Sequence, residues 1–259
     1  MSKMPPAKLM NTEIGHPWLP DNQLPINADF SQRVVMLPGA IHWQATGFDG
    51  LDIRILECVP GDNFRLTAQL RTSSASARSS LYTHTGFEAF VQAGEVSDQN
   101  NVFPSGLYLR NPANNKHISP EQQLHFGTAE DNAQDIHQGL LFLSLGQFAT
   151  SDGETRRINT RDEKKWLPGP EEGTEVMPLH MHGTSNSMML RWTSAASFVP
   201  RLDPRGEEVL VLSGKLCDEA GHYDAGSWIR NPVETWQSWS AEAGTLIYYK
   251  NGHFPDTTQ

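Results

Sequence analysis

The chain has 259 residues and a formal net charge of −10, a length that fits one large or two ordinary domains, each able to bury a core. The acidic balance argues against a general nucleic-acid binder and against a protein held on an anionic membrane, since both need a basic face, and no apolar run approaches the roughly 18 residues of a membrane span. Two cysteines, Cys58 and Cys217, form neither a Cys-x-x-Cys site nor a disulfide framework, which suits a reducing cytoplasm and two buried thiols acting as small hydrophobes.

In chain order, residues 1–28 carry prolines at 5, 6, 17, 20 and 25 and lack the apolar stretch of a secretory signal. They read as an extended arm, wrapped on the second unit or on a partner subunit, or as a disordered tail. Residues 88–93 are a short apolar run ended by Gly94, a strand signal. Residues 98–101 read as a turn, and 106–109 as the next strand, stopped by Asn111-Pro112. Residues 140–143 form another apolar run, and 150–157 are polar and linker-like. The series then recurs as the strand 208–213, the turn 218–221, the strand 226–229, Asn231-Pro232 and the closing strand 246–249. No long helical period intervenes, and short strands separated by frequent turn signals predict a sandwich or small barrel.

The recurrence has a fixed spacing. Gly94 matches Gly214, Gly106 matches Gly226, Pro112 matches Pro232 and Leu70-Arg71 matches Leu190-Arg191, all offset by 120 residues. Upstream, Trp43 and Gly50 match Trp166 and Gly173 at an offset of 123. This is the mark of a duplication. The expected organisation is an arm over 1–28, a first unit over 29–150, a linker over 151–162 and a second unit over 163–259.

The run Gly206-Glu207-Glu208-Val209-Leu210-Val211-Leu212-Ser213-Gly214, followed by Gly226-Ser227-Trp228-Ile229-Arg230-Asn231-Pro232, resembles the cupin domain of ChrR-like anti-sigma factors, and the first unit resembles it more loosely. The resemblance implies an all-β fold of two tandem cupin barrels (double-stranded β-helix or jelly-roll). It also implies a ligand pattern of two histidines two residues apart, a glutamate, and a later histidine. Residues i and i+2 of a strand face one side, so such a pair points two imidazoles into one cavity. On this pattern the first unit offers His84, Glu88 and His117 as a facial triad for a divalent transition metal, Fe(II) or Zn, with Tyr82 beside it as a catalytic candidate. Counting back from Gly94 gives a second register, in which Phe87 takes the glutamate's place and only His117 survives.

At the equivalent positions the second unit has Leu202, Pro204 and Gln237, with Glu207 and Glu208 remaining and Arg201 and Asp203 in the alternative register. No transition metal is expected there, and the unit is read as structural or as binding a small organic molecule without metal. Glu208 is expected to pair with Arg201 or to sit solvated at the rim. His180-Met181-His182 lies upstream of the motif and reads either as an exposed loop before Gly183 or as a strand pair whose imidazoles would share a face and could hold a metal with His222 or a residue of another subunit.

Three functions fit. The first is a regulatory protein binding metal or a small molecule. The second is a non-haem Fe(II) dioxygenase acting on a small ketone or phenolic compound. The third is a metal-free scaffold. A homodimer is expected by analogy with cupins. The sigma-binding activity of ChrR-like factors is not carried over, because residues 1–28 contain no cysteine for a zinc-binding helical domain.

Overall fold

The computed structural model describes residues 19, 24–48, 50–62, 64–72, 79–81, 86–97, 101–113, 124–126, 139–198, 206–233, 235 and 238–255. Two barrels of the same design follow one another. Each pairs a seven-stranded antiparallel sheet with a four-stranded one. The large sheet of the first barrel runs Arg156–Asn159, Leu107–Pro112, Gly86–Ala93, Leu140–Leu145, Arg65–Thr72, Leu51–Val59, Gln44–Ala45. That of the second runs Val34–Met36, Trp228–Asn231, Glu207–Ser213, Leu246–Asn251, Ser185–Trp192, Thr174–His182, Leu167–Pro168. Position for position these are the duplicated segments, so the all-β, two-barrel expectation holds. Among the described residues the one helical element is a 3-10 turn at Glu163–Lys165, and no helix is long and apolar enough to cross a membrane.

The barrels exchange edge strands. Val34–Met36 precedes the first barrel in sequence but pairs with Trp228–Asn231 of the second. Arg156–Asn159, within the segment expected to be a linker, pairs with Leu107–Pro112 of the first. Equivalent stacks mark the far edges: Arg71 and Arg54 lie over the Trp43 ring and Arg191 over Trp166, at 4.5, 4.5 and 4.2 Å from the ring centroids.

Three apolar clusters result. One fills the first barrel (Ile53, Leu66, Phe87, Ala89, Val91, Leu143) and one the second (Trp192, Val209, Val211, Ile229, Trp239, Tyr249). The third lies between the barrels, where Leu56, Phe90, Tyr108 and Phe142 of the first meet Met177, Leu179, Leu210, Trp228 and Tyr248 of the second. Each large sheet is therefore buried on both faces, which is why its central strands read as continuous apolar runs.

Candidate functional site

Tyr82, His84 and His117 lie outside the described residues. Glu88 lies within them and is placed away from the interior of the first barrel. Along Gly86–Ala93 the side chains of Phe87, Ala89 and Val91 enter the barrel core, while Phe90, on the same face as Glu88, enters the cluster between the barrels. There the Glu88 carboxylate accepts from the Tyr108, Ser187 and Tyr248 hydroxyls at 2.7, 2.7 and 2.8 Å and pairs with Lys250 Nζ at 2.8 Å. Burial works to raise its pKa; the Lys250 charge and the hydrogen bonds from Lys250, Ser187 and Tyr108 reverse this and hold the group well below the ordinary carboxylate range. A carboxylate committed to four donors across a domain contact is not available to a metal in the barrel. The geometry matches the second register, with the Phe87 ring where a carboxylate was expected. Glu88 therefore does not fit the expected ligand set, whose histidines His84 and His117 lie outside the described residues; among the described residues no three His, Cys, Asp or Glu side chains gather to hold a metal ion, and no step is derived through a metal.

The second barrel keeps a carboxylate at the equivalent position. Glu207 stands in register with Asn231 on one side and Asn251 on the other, and Asn251 with Asn186. All four share the parity of the core residues Val209, Ile229, Ile247 and Leu190 on their strands and so face the barrel interior. The corresponding row of the first barrel is Asn111, Phe87, Leu145 and Leu66, apolar but for its asparagine. Glu207 Oε1 accepts from Asn231 Nδ2 at 2.6 Å and Trp239 Nε1 at 3.1 Å. Burial raises the Glu207 pKa, opposed by hydrogen bonds from Asn231, Tyr249 and Trp239. Gly206 precedes it at φ +77°; a Cβ there would come within 2.4 Å of the Phe254 ring and 2.9 Å of the Asn231 carbonyl oxygen, so only glycine lets the strand start this close.

Because the folded-state pKa of Glu207 lies above its unfolded value, its protonation stabilises the fold below the unfolded pKa, and that contribution fades as pH rises through the folded pKa. Glu207→Gln keeps an acceptor for Asn231 and Trp239 and removes the charge. Its unfolding free energy, measured by urea titration, should gain on the wild type as pH rises through that window, and a difference constant with pH would contradict the buried ionisation.

Between the barrels, buried Glu57, Glu88 and Glu208 face buried Arg65, Arg230 and Lys250. Arg230 Nη1 donates to Glu57 at 2.7 Å and Arg65 Nε lies 3.6 Å from it. Glu208, expected at a solvated rim or beside Arg201, is instead sealed here, accepting from Trp228 Nε1 at 2.7 Å with His253 Nε2 at 3.0 Å. Burial raises the Glu208 pKa and lowers that of His253 well below the usual imidazole value, with Lys250 adding to the latter.

The family model of the ChrR cupin-like domain matches the chain twice, over residues 31–132 and 154–255. The chain belongs to this cupin family. No curated protein matches it. Similar folds occur in crystal structures of Ylba from E. coli (13% identity, 90% of this chain and 96% of that one, TM-score 0.62) and of the bacterial pirin YhhW in complex with nickel(II) from E. coli (11%, 85% and 98%, 0.58). A cupin 2 conserved barrel domain protein from Leptotrichia buccalis is similar too (10%, 80% and 91%, 0.52). At these identities the likeness is one of fold.

In this bicupin His180 and His182 do share a face, with exposed Met181 on the other. Their partners come from the junction between the barrels. His180 Nε2 lies 2.8 Å from Asp152 Oδ2 and His182 Nε2 lies 3.0 Å from Ser151 Oγ. Asp152 also holds Arg110, whose fixed positive charge disfavours a cation at the same carboxylate. His222 stands across a hairpin from Cys217, with Nδ1 3.1 Å from Sγ. Of the two thiols expected to be buried, Cys217 is half-exposed, whereas Cys58 is sealed in the first barrel, where burial and the Glu57 charge push it up to about 11.

Proposed function

We propose that this chain is a small-molecule-binding bicupin whose ligand is taken by the second barrel at Glu207, without a metal. The observation that supports this is a carboxylate kept inside a barrel core where its duplicate, Phe87, is apolar. A buried ionisable group costs stability unless compensated, and such perturbed groups gather at functional sites. The test is a metabolite screen by thermal shift in the presence of a chelator. A true ligand stabilises the wild type by about 2.7 kcal/mol at a hundred times its dissociation constant and loses that effect in Glu207→Gln. Stabilisation equal in both proteins, or dependent on added metal, overturns the reading.

A second reading is supported by the spacing of Gly106, Pro112 and His117 and by the nickel(II) of the pirin complex. In it the first barrel holds a divalent transition metal, Fe(II) or Zn, on His84 and His117 with Tyr82 nearby and no help from Glu88. Elemental analysis of the wild type beside a His84→Ala/His117→Ala variant decides it. Near-stoichiometric metal lost in the variant supports the site, with iron favouring a dioxygenase and zinc a regulatory protein. Absence of metal from both, even after anaerobic iron loading, rejects it.

A further inference from the structure

The donors around Glu207 are already spent. Asn231 Nδ2 and Trp239 Nε1 both donate to the carboxylate, and the Tyr249 hydroxyl does so too. Arg33, just before the strand Val34–Met36, is paired with Asp218 and donates to the Tyr223 hydroxyl at 2.8 Å; it keeps an unpartnered Nε–H, and, engaged by Asp218, its charge lowers the Glu207 pKa less than the hydrogen bonds from Asn231, Tyr249 and Trp239 do.

What the row leaves unsatisfied next to Glu207 is acceptors. Asn231 Oδ1 and Asn251 Oδ1 are both buried and have no hydrogen-bond partner among the described residues. The orientation of the Asn231 amide is set by its bond to Glu207, so the unpartnered atom is its oxygen. A buried acceptor left unpaired costs about 1–3 kcal/mol, and two of them flank one carboxylate. The complement of this set is a group with several N–H or O–H donors, no acceptor and a positive charge.

We infer that the second barrel selects a protonated primary amine, its ammonium group seated against the Glu207 carboxylate, Asn231 Oδ1 and Asn251 Oδ1. An ammonium carries three donors and no acceptor, which matches the three oxygen centres, and its charge compensates the carboxylate. Around this row the barrel core is packed with aromatic side chains, Trp192, Trp239, Phe198 and Tyr249. A hard divalent ion would want six or more oxygen ligands, beyond what the row supplies. Among the described residues, neither the first barrel, with Phe87 in the carboxylate's place, nor the contact between the barrels, where cations already match the carboxylates, offers this chemistry. The inference rests on the reading of the second barrel as the ligand site and names the ligand's class.

The test uses the full chain labelled with 15N. The Trp239 indole N–H donates to Glu207 and reports on the site directly. n-Butylammonium, butyrate and 1-butanol, matched in length, are titrated at constant ionic strength. The expected result is a saturable shift of the Trp239 indole signal by butylammonium alone. Glu207→Gln should weaken binding by roughly tenfold or more, the worth of a charge-assisted hydrogen bond. Asn251→Asp, which adds a charge to the same row, should tighten it. If butyrate or butanol shifts the signal as strongly as the amine, the amine assignment is overturned and the second barrel stands as a site of another class. If no probe shifts it, or if the shift persists unchanged in Glu207→Gln, the amine assignment is also overturned, and the metabolite screen against Glu207→Gln then judges the barrel itself.

Discussion

Replacing Lys250 with methionine is expected to cost about 3–5 kcal/mol of unfolding free energy, a fall in Tm of roughly 10 °C for a chain of this size. Lys250 is buried and its Nζ lies 2.8 Å from Glu88 Oε2 and 3.1 Å from Gln147 Oε1. Methionine fills much of the same volume but leaves Glu88 sealed between two barrels without its counter-charge. The three hydroxyls that remain on it, from Tyr108, Ser187 and Tyr248, are neutral. Both tyrosines are held well above their usual pKa, by burial first and then by the Glu88 charge, so they stay protonated and continue to donate.

The pH dependence separates this account from simple loss of packing. In the wild type the Glu88 pKa is depressed, so its contribution is present above the unfolded carboxylate pKa and lost as pH falls through the folded one. In Lys250→Met, burial becomes the dominant influence and the pKa moves above the unfolded value, so the variant gains stability on acidification. The deficit should therefore shrink as pH falls from neutral toward the ordinary carboxylate range. The double variant Glu88→Gln/Lys250→Met should recover most of the loss at neutral pH. A deficit that is flat with pH, with no recovery in the double variant, would mean that the pair is not the source.

The duplication and three strands of each unit, near 88–93, 106–109 and 140–143 and their equivalents, were legible in the sequence because they follow from local signals: apolar runs ended by glycine, Asn-Pro stops and a constant offset between equivalent residues. The contact between the barrels was also written there, in a form that is easy to misread. Glu88 and Glu208 lie on the outward face of their strands, a face also lined by Phe90, Leu210, Tyr108 and Trp228. Large apolar side chains on both faces of a strand mean that both faces are buried. Taken that way, an outward glutamate among them is a buried charge in need of a cation from elsewhere in the chain. The identity of that cation was not legible, because Lys250 lies 162 residues from Glu88 and only the packing of one sheet on the other brings them together.

The register of the candidate site turned on one residue. Counting forward from the first-barrel histidine put the carboxylate at Glu88, and counting back from Gly94 put it at Phe87. Strand alternation resolves this: Phe87 has the parity of Ala89 and Val91, and Glu207 that of Val209 and Val211. The back-count from Gly214 lands on Glu207 in the same way, so the second barrel's interior carboxylate could have been found from glycine spacing alone. The asparagines beside it could not, since their alignment depends on cross-strand register rather than on sequence distance.

Arg230 and Arg110 occupy equivalent positions, and each fastens the chain that leads into an exchanged edge strand. Arg230 donates to the carbonyl of Asn27, to that of Asp29 at 2.7 Å and to Glu57, and it stacks on Phe30 with 4.6 Å to the ring centroid. The strand Val34–Met36 follows. Arg110 pairs with Asp152, donates to the Glu154 carbonyl at 2.6 Å and stacks on Phe148 at 4.8 Å, and the strand Arg156–Asn159 follows. Arg230→Met should cost about 3–5 kcal/mol, since Glu57 is left buried with only the more distant Arg65. Its hydrogen exchange should accelerate selectively over residues 27–36. Arg110→Met should do the same over 152–159 while leaving 27–36 protected. Edge strands of three and four residues gain little from their own ladder bonds, so their protection has to come from the anchor before them. If exchange rises uniformly across the large sheet in both variants, the arginines hold the barrels together as a whole and the edge strands are secured by other contacts.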